Sequence, residues 1–361
     1  VTGRSSAAAS AAVSATAPER QRATGPGEGS LTPADPGAEL CLALDIGGTK
    51  LAVGLVDRAG TLLWQDRVRT PRATDGDALF AVVRDLAALG VEAARARGEL
   101  AVVGVGCGGP MTGDGAAVSP LNIPAWRGFP LRPRLAEAVS SLVARSRAAG
   151  RTGAAEAAGA AGNAPAGAPA GPPVFVDNDA KALALGEGWV GAARGESDYL
   201  AMVVSTGIGG GIVLDGRLLD GADGNAGHIG HVIVEPDGRR CACGADGCLE
   251  AEASGTAIAA ITGKPAHEAP KEVAQRCGLL VGRAVASVAN LLDLRLAVVG
   301  GSVALGFGTV FFLAAQREVD RSARLDHSKG CRIEPAGLGA EAPLVGAAAV
   351  GWRGLDGARP R

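Results

Sequence analysis

The chain of 361 residues has very little aromatic surface, with Phe, Trp and Tyr together making up 3%. Stacking of bases or sugars on aromatic faces is therefore excluded as its main binding device. An excess of one charge sign is also missing, since 35 Lys and Arg stand against 37 Asp and Glu for a net charge of -2. No block of like charge forms a nucleic-acid-binding arm. No apolar run approaches the ~18 residues of a membrane span, and the Ala–Ser mixtures near the start give no secretory signal. A P-loop is absent as well, because Gly-x-x-x-x-Gly-Lys-Ser/Thr occurs nowhere. Seven cysteines are an odd number, and three of them crowd into Cys241 to Cys248. That pattern predicts a metal site in a reducing, cytoplasmic setting rather than a disulfide framework.

Glycine is abundant, at 56 residues, and 20 prolines accompany it without a Gly-X-Y period. Many backbone turns must be tight. Residues 1–39 are rich in Ala, Ser, Pro and Gly and are expected to form a disordered tail, because they cannot bury enough apolar surface to offset ordering. A second low-complexity stretch, Arg147 to Pro173, reads as a long flexible insert within a domain. Elsewhere short β-type runs alternate with Ala-rich helical runs, which predicts an α/β fold. Leu42 to Asp45 and Leu51 to Val56 read as a hairpin. Ala78 to Arg97 reads as a helix, Leu100 to Val105 and Val174 to Val176 as strands, and Asp179 to Ala193 as a helix. Tyr199 to Ser205 and Gly211 to Leu214 read as a second glycine-turned hairpin. Val273 to Leu292 then gives a helix, Leu296 to Val299 a strand and Pro343 to Trp352 a closing helix. Each half thus carries a Gly-rich hairpin, and this internal similarity predicts two related units.

The two glycine loops, Asp45-Ile-Gly-Gly-Thr-Lys50 and Ser205-Thr-Gly-Ile-Gly-Gly-Gly211, bring backbone N–H groups close to an anion and together fit a polyphosphate clamp. Gly104-Val-Gly-Cys-Gly-Gly109 matches a dinucleotide fingerprint in letters only, because Pro110 and Thr-Gly-Asp-Gly follow where a helix should open. Cys241, Cys243 and Cys248 with His231 supply three thiolates and one imidazole, a closed tetrahedral shell for structural Zn²⁺. Asp179 follows a strand and opens a helix, where it can be a general base or only a helix cap. Spacing does not decide between them.

Taken together, Leu44-Asp-Ile-Gly-Gly-Thr-Lys50, Phe175-Val-Asp-Asn-Asp-Ala180, Ser205 to Gly211, Gly230-His-x₉-Cys-x-Cys-Gly-x-x-Gly-Cys-x-Glu250 and Val298-Val-Gly-Gly-Ser302 resemble the ROK family of repressors and sugar kinases, and its glucokinase-like members in particular. The resemblance runs from about residue 41 to 352. It implies an actin-like, hexokinase-like ATPase fold with two lobes around a cleft, residues 40–176 forming the first and 177–340 the second with the zinc knuckle. The closing segment 341–361 would pack back on the first lobe. It also implies an ATP- and Mg²⁺-dependent kinase acting on a hexose or N-acetylhexosamine hydroxyl, and a homodimer, with neither nucleic acid nor membrane as partner. By the same resemblance Asp45, Gly47, Gly48, Thr49 and Lys50 match the first phosphate loop. Ser205, Thr206, Gly207, Gly209 and Gly210 match the second, and Gly300 and Gly301 the adenosine-side turn. Asp179 matches the base, while Asn178, Asn122, His231, Glu250 and Gly109 match the sugar floor. One departure stands out: the usual Glu-x-Gly-His is His228-Ile-Gly-His231 here, so His228 occupies a sugar-reading position. The rival implications are a sugar-binding regulator and a sugar-binding member without catalysis. The residues ahead of the first strand are too few, too Ala-Ser-rich and too weakly basic for a helix-turn-helix. Retention of Asp179 and both loops argues against lost catalysis.

Overall fold

The computed structural model describes residues 37–72, 75–155 and 171–358, so most of the expected tail and much of the insert lie outside the described residues. In chain order the elements begin with β1 (Glu39–Ile46), β2 (Lys50–Asp57), β3 (Leu62–Arg69), α1 (Gly76–Ala94), β4 (Glu99–Cys107), α2 (Leu131–Ala155) and β5 (Val174–Asn178). Next come α3 (Asp179–Val190), β6 (Tyr199–Val204), β7 (Ile208–Leu214), β8 (Arg217–Leu218), α4 (Leu249–Ala253), α5 (Gly255–Thr262) and α6 (Lys271–Leu292). The chain closes with β9 (Leu296–Gly300), α7 (Ser302–Phe307), α8 (Thr309–Ser322), β10 (Arg332–Pro335) and α9 (Ala342–Ala358).

Two five-stranded sheets share one wiring. The first is ordered β3-β2-β1-β4-β5 and the second β10-β9-β6-β7-β8. In each, a strand pairs antiparallel with the next one in sequence and parallel with a later one: β1 with β2 and β4, β6 with β7 and β9. The expected similarity of the two halves is thus a repeated sheet. The central strands β1 and β9 are buried almost throughout, as continuous apolar runs covered on both faces should be. Outer cores form where α1 and α2 cover the first sheet and α6 and α8 the second.

Between the sheets, α3 and α9 pack on one another, with Gly186 of α3 within 3.0 Å of meeting Gly346 of α9 if it carried a Cβ. Leu344, Ala347, Ala348 and Trp352 of α9 are buried with Cys41, Ala43 and Val102 of the first sheet. Small residues let these helices lie close to the strands, and this accounts for the high Ala and Gly content.

Several expectations are corrected. The low-complexity stretch from Arg147 does not begin as a loop, since α2 continues to Ala155 because Ala and Arg are good helix formers whatever their complexity. Helix α3 stops at Val190, three residues short of Ala193, where Glu187 turns back to accept the Ala192 N–H at 2.7 Å. Strand β7 begins at Ile208, so Gly209 and Gly210 lie in a strand and not in the turn. Helix α9 runs on to Ala358. Strands β3, β8 and β10, helices α4, α5, α7 and α8, and α2 ahead of Arg147 had no reading at all. No helix among the described residues is long and apolar enough to cross a membrane.

Candidate active site

The C-terminal ends of β1, β4 and β5 lie side by side, and their register sets Asp45 beside Gly106 and Cys107 beside Asn178. Backbone pairing therefore delivers Asp45 and Asn178-Asp179 to one edge of the first sheet. Asn178 is the N-cap of α3, accepting the Ala180 N–H at 3.0 Å. Asp179 accepts the same N–H at 2.8 Å but is the first helical residue, with its side chain open to the cleft. Asn178 holds the N-cap position, and Asp179 shares that N–H through one carboxylate oxygen, leaving the other open.

Desolvation by the surrounding protein raises the Asp179 carboxyl above the ordinary range, against its backbone hydrogen bonds and the nearby His228. Asp45 is pushed up to about 6 by burial and by the charge of Asp179, although Lys50, 4.0 Å away, pulls it down. A buried carboxylate raised by a second one marks a place where a cation would be favourable. His228 is lowered by burial and by His231, while Glu250 and Asp179 attract its charge. His228 therefore lies within electrostatic reach of Glu250 and Asp179.

The first glycine turn closes with the Gly47 N–H on the Lys50 carbonyl at 3.1 Å, and the Thr70 hydroxyl donates to the Gly47 carbonyl at 2.6 Å. A Cβ on Gly48 would come within 2.7 Å of the Asn122 carbonyl, so Gly48 is what lets the turn sit against Asn122. Thr49 lies in this turn, where its carbonyl accepts the Thr70 N–H. Gly109, just past β4, faces the Asn178 side-chain amide. In the second half the turn is Ser205-Thr206-Gly207, closed by the Ser205 N–H on the Gly207 carbonyl at 2.9 Å. Thr256 of α5 steadies it through a 2.9 Å bond to the Thr206 carbonyl, and the Ser205 hydroxyl meets that of Ser302 at 2.9 Å. Gly300 ends β9 and Gly301 is the N-cap of α7, immediately ahead of Ser302.

Glu250 accepts the Ile208 N–H at 2.8 Å and abuts Gly207, linking the zinc-loop side to the second turn. Gly209 and Gly210 face inward: a Cβ on the former would strike Ala180 and on the latter Ile229. The structure therefore gives these two glycines a packing role against α3 and the His228–His231 turn.

His231, Cys241, Cys243 and Cys248 offer ligand atoms that all lie within 4.8 Å of one another. Cys241 Sγ is 3.7 Å from His231 Nδ1, and the Cys243 and Cys248 sulfurs are 3.6 Å apart. A zinc tetrahedron with Zn–S of about 2.3 Å has S···S edges of about 3.8 Å, so the donor set fits Zn²⁺. Because Nδ1 faces the sulfurs, the ring's Nε2 edge points away from them. Glu252, fully buried, holds the knuckle to α6 by accepting from Arg239 at 2.9 Å and Arg276 at 2.7 Å.

Sequence reasoning missed Lys181, Asp177, Asp220, Asn225 and Arg353, which the structure gathers behind Asp179. A lysine inside the apolar run Ala180 to Leu185 was the available signal.

The ROK family model matches residues 41–164 and 168–352. An N-acetylmannosamine kinase of Pasteurella multocida is 31% identical over 324 residues, covering 85% of this chain and 95% of that protein. A crystal structure of a ROK hexokinase from Thermus thermophilus shares 32% identity with a TM-score of 0.66, covering 88% of this chain and 99% of its own. A ROK family glucokinase from Streptomyces griseus, in complex with glucose and AMPPNP, shares 28% identity with a TM-score of 0.67, covering 87% and 99%. With a doubled sheet, two glycine turns flanking Asp179 and a His-Cys₃ knuckle in matching order, the chain belongs to the ROK family.

Proposed function

We propose that the chain is a sugar kinase that transfers the γ-phosphoryl group of ATP to a hydroxyl of a hexose or N-acetylhexosamine. The observation that carries this reading is the position of Asp179: exposed at the end of β5 as the first residue of α3, within electrostatic reach of Asp45 and His228. The relatives named as kinases of N-acetylmannosamine and of glucose support the substrate class. In this reading Asp179 accepts the proton of the attacking hydroxyl as its oxygen bonds the γ-phosphorus and ADP departs. The turns at Gly47-Gly48-Thr49 and Ser205-Thr206-Gly207 hold the phosphates with backbone N–H groups, and Lys50 adds charge. Gly300 and Gly301 border the adenosine side. Asn122, Asn178, Gly109, Glu250, His228 and His231 surround the sugar, with His231 presenting Nε2. Asp45 is the carboxylate placed to hold Mg²⁺, which when bound neutralises charge on the phosphates. Zn²⁺, held by His231, Cys241, Cys243 and Cys248, supplies rigidity and no chemistry, because its shell is closed.

The expected result of an ADP-release screen over hexoses and amino sugars is ATP turnover stimulated by at least one of them. Absence of stimulation by every sugar, with ATP and Mg²⁺ present, would reject the kinase reading in favour of a binding protein.

The substrate preference should depend on His228. A carboxylate only accepts hydrogen bonds from sugar hydroxyls, whereas neutral imidazole offers one donor and one acceptor. His228→Ala is expected to lower kcat/KM for the best sugar by about 1 to 3 kcal/mol, the cost of leaving a buried partner unpaired. His228→Glu should reorder the sugar panel. If both variants keep the parental ranking with kcat/KM within about twofold, His228 only buttresses the zinc loop.

A further inference from the structure

We propose that Lys181 is a positioning residue that locks the 219–228 loop behind the cleft and so fixes where His228 stands toward the sugar. The inference rests on the kinase reading above. It begins from a physical oddity: Lys181 is 2% exposed, although an ammonium is costly to bury unless each of its three N–H groups finds an acceptor. All three are met. Nζ is 2.8 Å from Asp220 Oδ1, 3.0 Å from the Gly224 carbonyl and 3.2 Å from Asp177 Oδ1.

Two of those acceptors belong to the 219–228 loop, and the third is the residue before Asn178 on β5. Arg353 of α9 reaches Asp220 at 3.0 Å and Asp177 at 3.9 Å, closing a ring of two cations and two carboxylates. The ring therefore joins β5, α3, α9 and the loop. No helix or strand forms between Leu218 and Ile229, and the backbone bonds donated by the loop are few: the Leu219 N–H to the Ile212 carbonyl at 2.8 Å and the Ala226 N–H to the Asp220 carbonyl at 2.9 Å. Its second tether is Asn225, whose side chain accepts the Met111 N–H at 3.3 Å and donates to the Met111 carbonyl at 3.2 Å. Three residues further on comes His228. Asp177, Lys181, Asp220 and Arg353 line a cavity of about 440 Å³ together with Asp114 and Arg132.

Lys181 sits two residues from Asp179, so an electrostatic effect on the base is the competing explanation. The two roles separate in kinetics. Positioning predicts that Lys181→Met raises the sugar KM by about tenfold, while the ATP KM stays within twofold and the acid limb of the pH profile keeps its midpoint. Asp220→Ala, at a half-exposed site, leaves Asp177 and the Gly224 carbonyl on the ammonium and should raise the sugar KM by a smaller factor. Because both act through one bond, the double variant should be no worse than Lys181→Met.

Hydrogen exchange of the sugar-free protein supplies a readout that needs no substrate. Amides of residues 219–228 should exchange at least about tenfold faster in Asp220→Ala and in Lys181→Met, with the zinc loop unchanged. Unaltered exchange of that loop in Asp220→Ala would overturn the proposal, as would equal rises in the sugar and ATP KM values. A parent protein that phosphorylates no sugar overturns the kinase reading instead, and the exchange experiment still decides whether Lys181 holds the loop.

Discussion

Asp179→Asn is expected to lower kcat by about 10² to 10⁴, the usual cost of losing a general base, with ATP affinity nearly unchanged. The amide cannot take the hydroxyl proton, yet it has the size of the carboxylate and leaves the Asn178 cap on the Ala180 N–H in place. The helix should therefore survive the substitution. Stopped turnover with intact nucleotide binding is the signature to look for. A variant retaining more than about a tenth of the parental kcat would defeat the assignment. The pH profile offers a second check. Both Asp179 and Asp45 are raised, the latter to about 6, so the active ionised forms are present at high pH and lost as pH falls through those raised values. The acid limb of kcat/KM should lie above the ordinary carboxylate range of about 4. In Asp179→Asn the residual activity should keep only the limb that belongs to Asp45.

Cys243→Ser is expected to abolish stoichiometric zinc and to weaken sugar binding more than ATP binding. Purified parent protein should contain one zinc per chain by elemental analysis. Structural zinc contributes on the order of 10 kcal/mol of apparent binding free energy to the segment it organises. That segment, from His231 to Cys248, has no helix beyond one short turn and no strand, being shaped otherwise by isolated bridges such as Ile233 to Cys248 and by the Arg239–Glu252 contact. Cys243 is the exposed member of the cluster, so its replacement perturbs the fold around it least. Through His231 and Glu250 the loss should reach the sugar floor and, by the Glu250 bond to Ile208, the edge of the second glycine turn. Thermal melts should show a lower Tm. Parent protein that is free of zinc, and fully active after treatment with a chelator, would remove the metal from the account.

Much of this was legible before any coordinates. The glycine hairpins announced themselves because a turn between two apolar runs has few chemical solutions, and the His-Cys₃ spacing because four soft donors so close in sequence have few other uses. Local pairing puts Asp45 and Lys50 on the two sides of one turn, and helix geometry puts Asn178 and Asp179 at one helix start. Which of the last two caps the helix was not legible, since either side chain can reach a free N–H and only the backbone angles choose. Helix α2 was hidden by the low complexity of its final turns, and β10 by its lack of a repeated apolar pattern.

The sequence by itself therefore determined the α/β alternation, the two glycine turns, the metal donors and the identity of the carboxylate at the start of α3. Only the tertiary structure decided that Asn178 is the N-cap and Asp179 the first helical residue, that Gly209 and Gly210 serve packing against α3 and Ile229, and that Lys181 shares Asp177 and Asp220 with Arg353. The reason is distance along the chain. Turns, caps and metal knuckles are settled by residues a few positions apart, where chemistry and spacing suffice. The ring around Lys181 draws on residues 177, 181, 220 and 353, and only the packing of α3 and α9 between the two sheets brings them into contact.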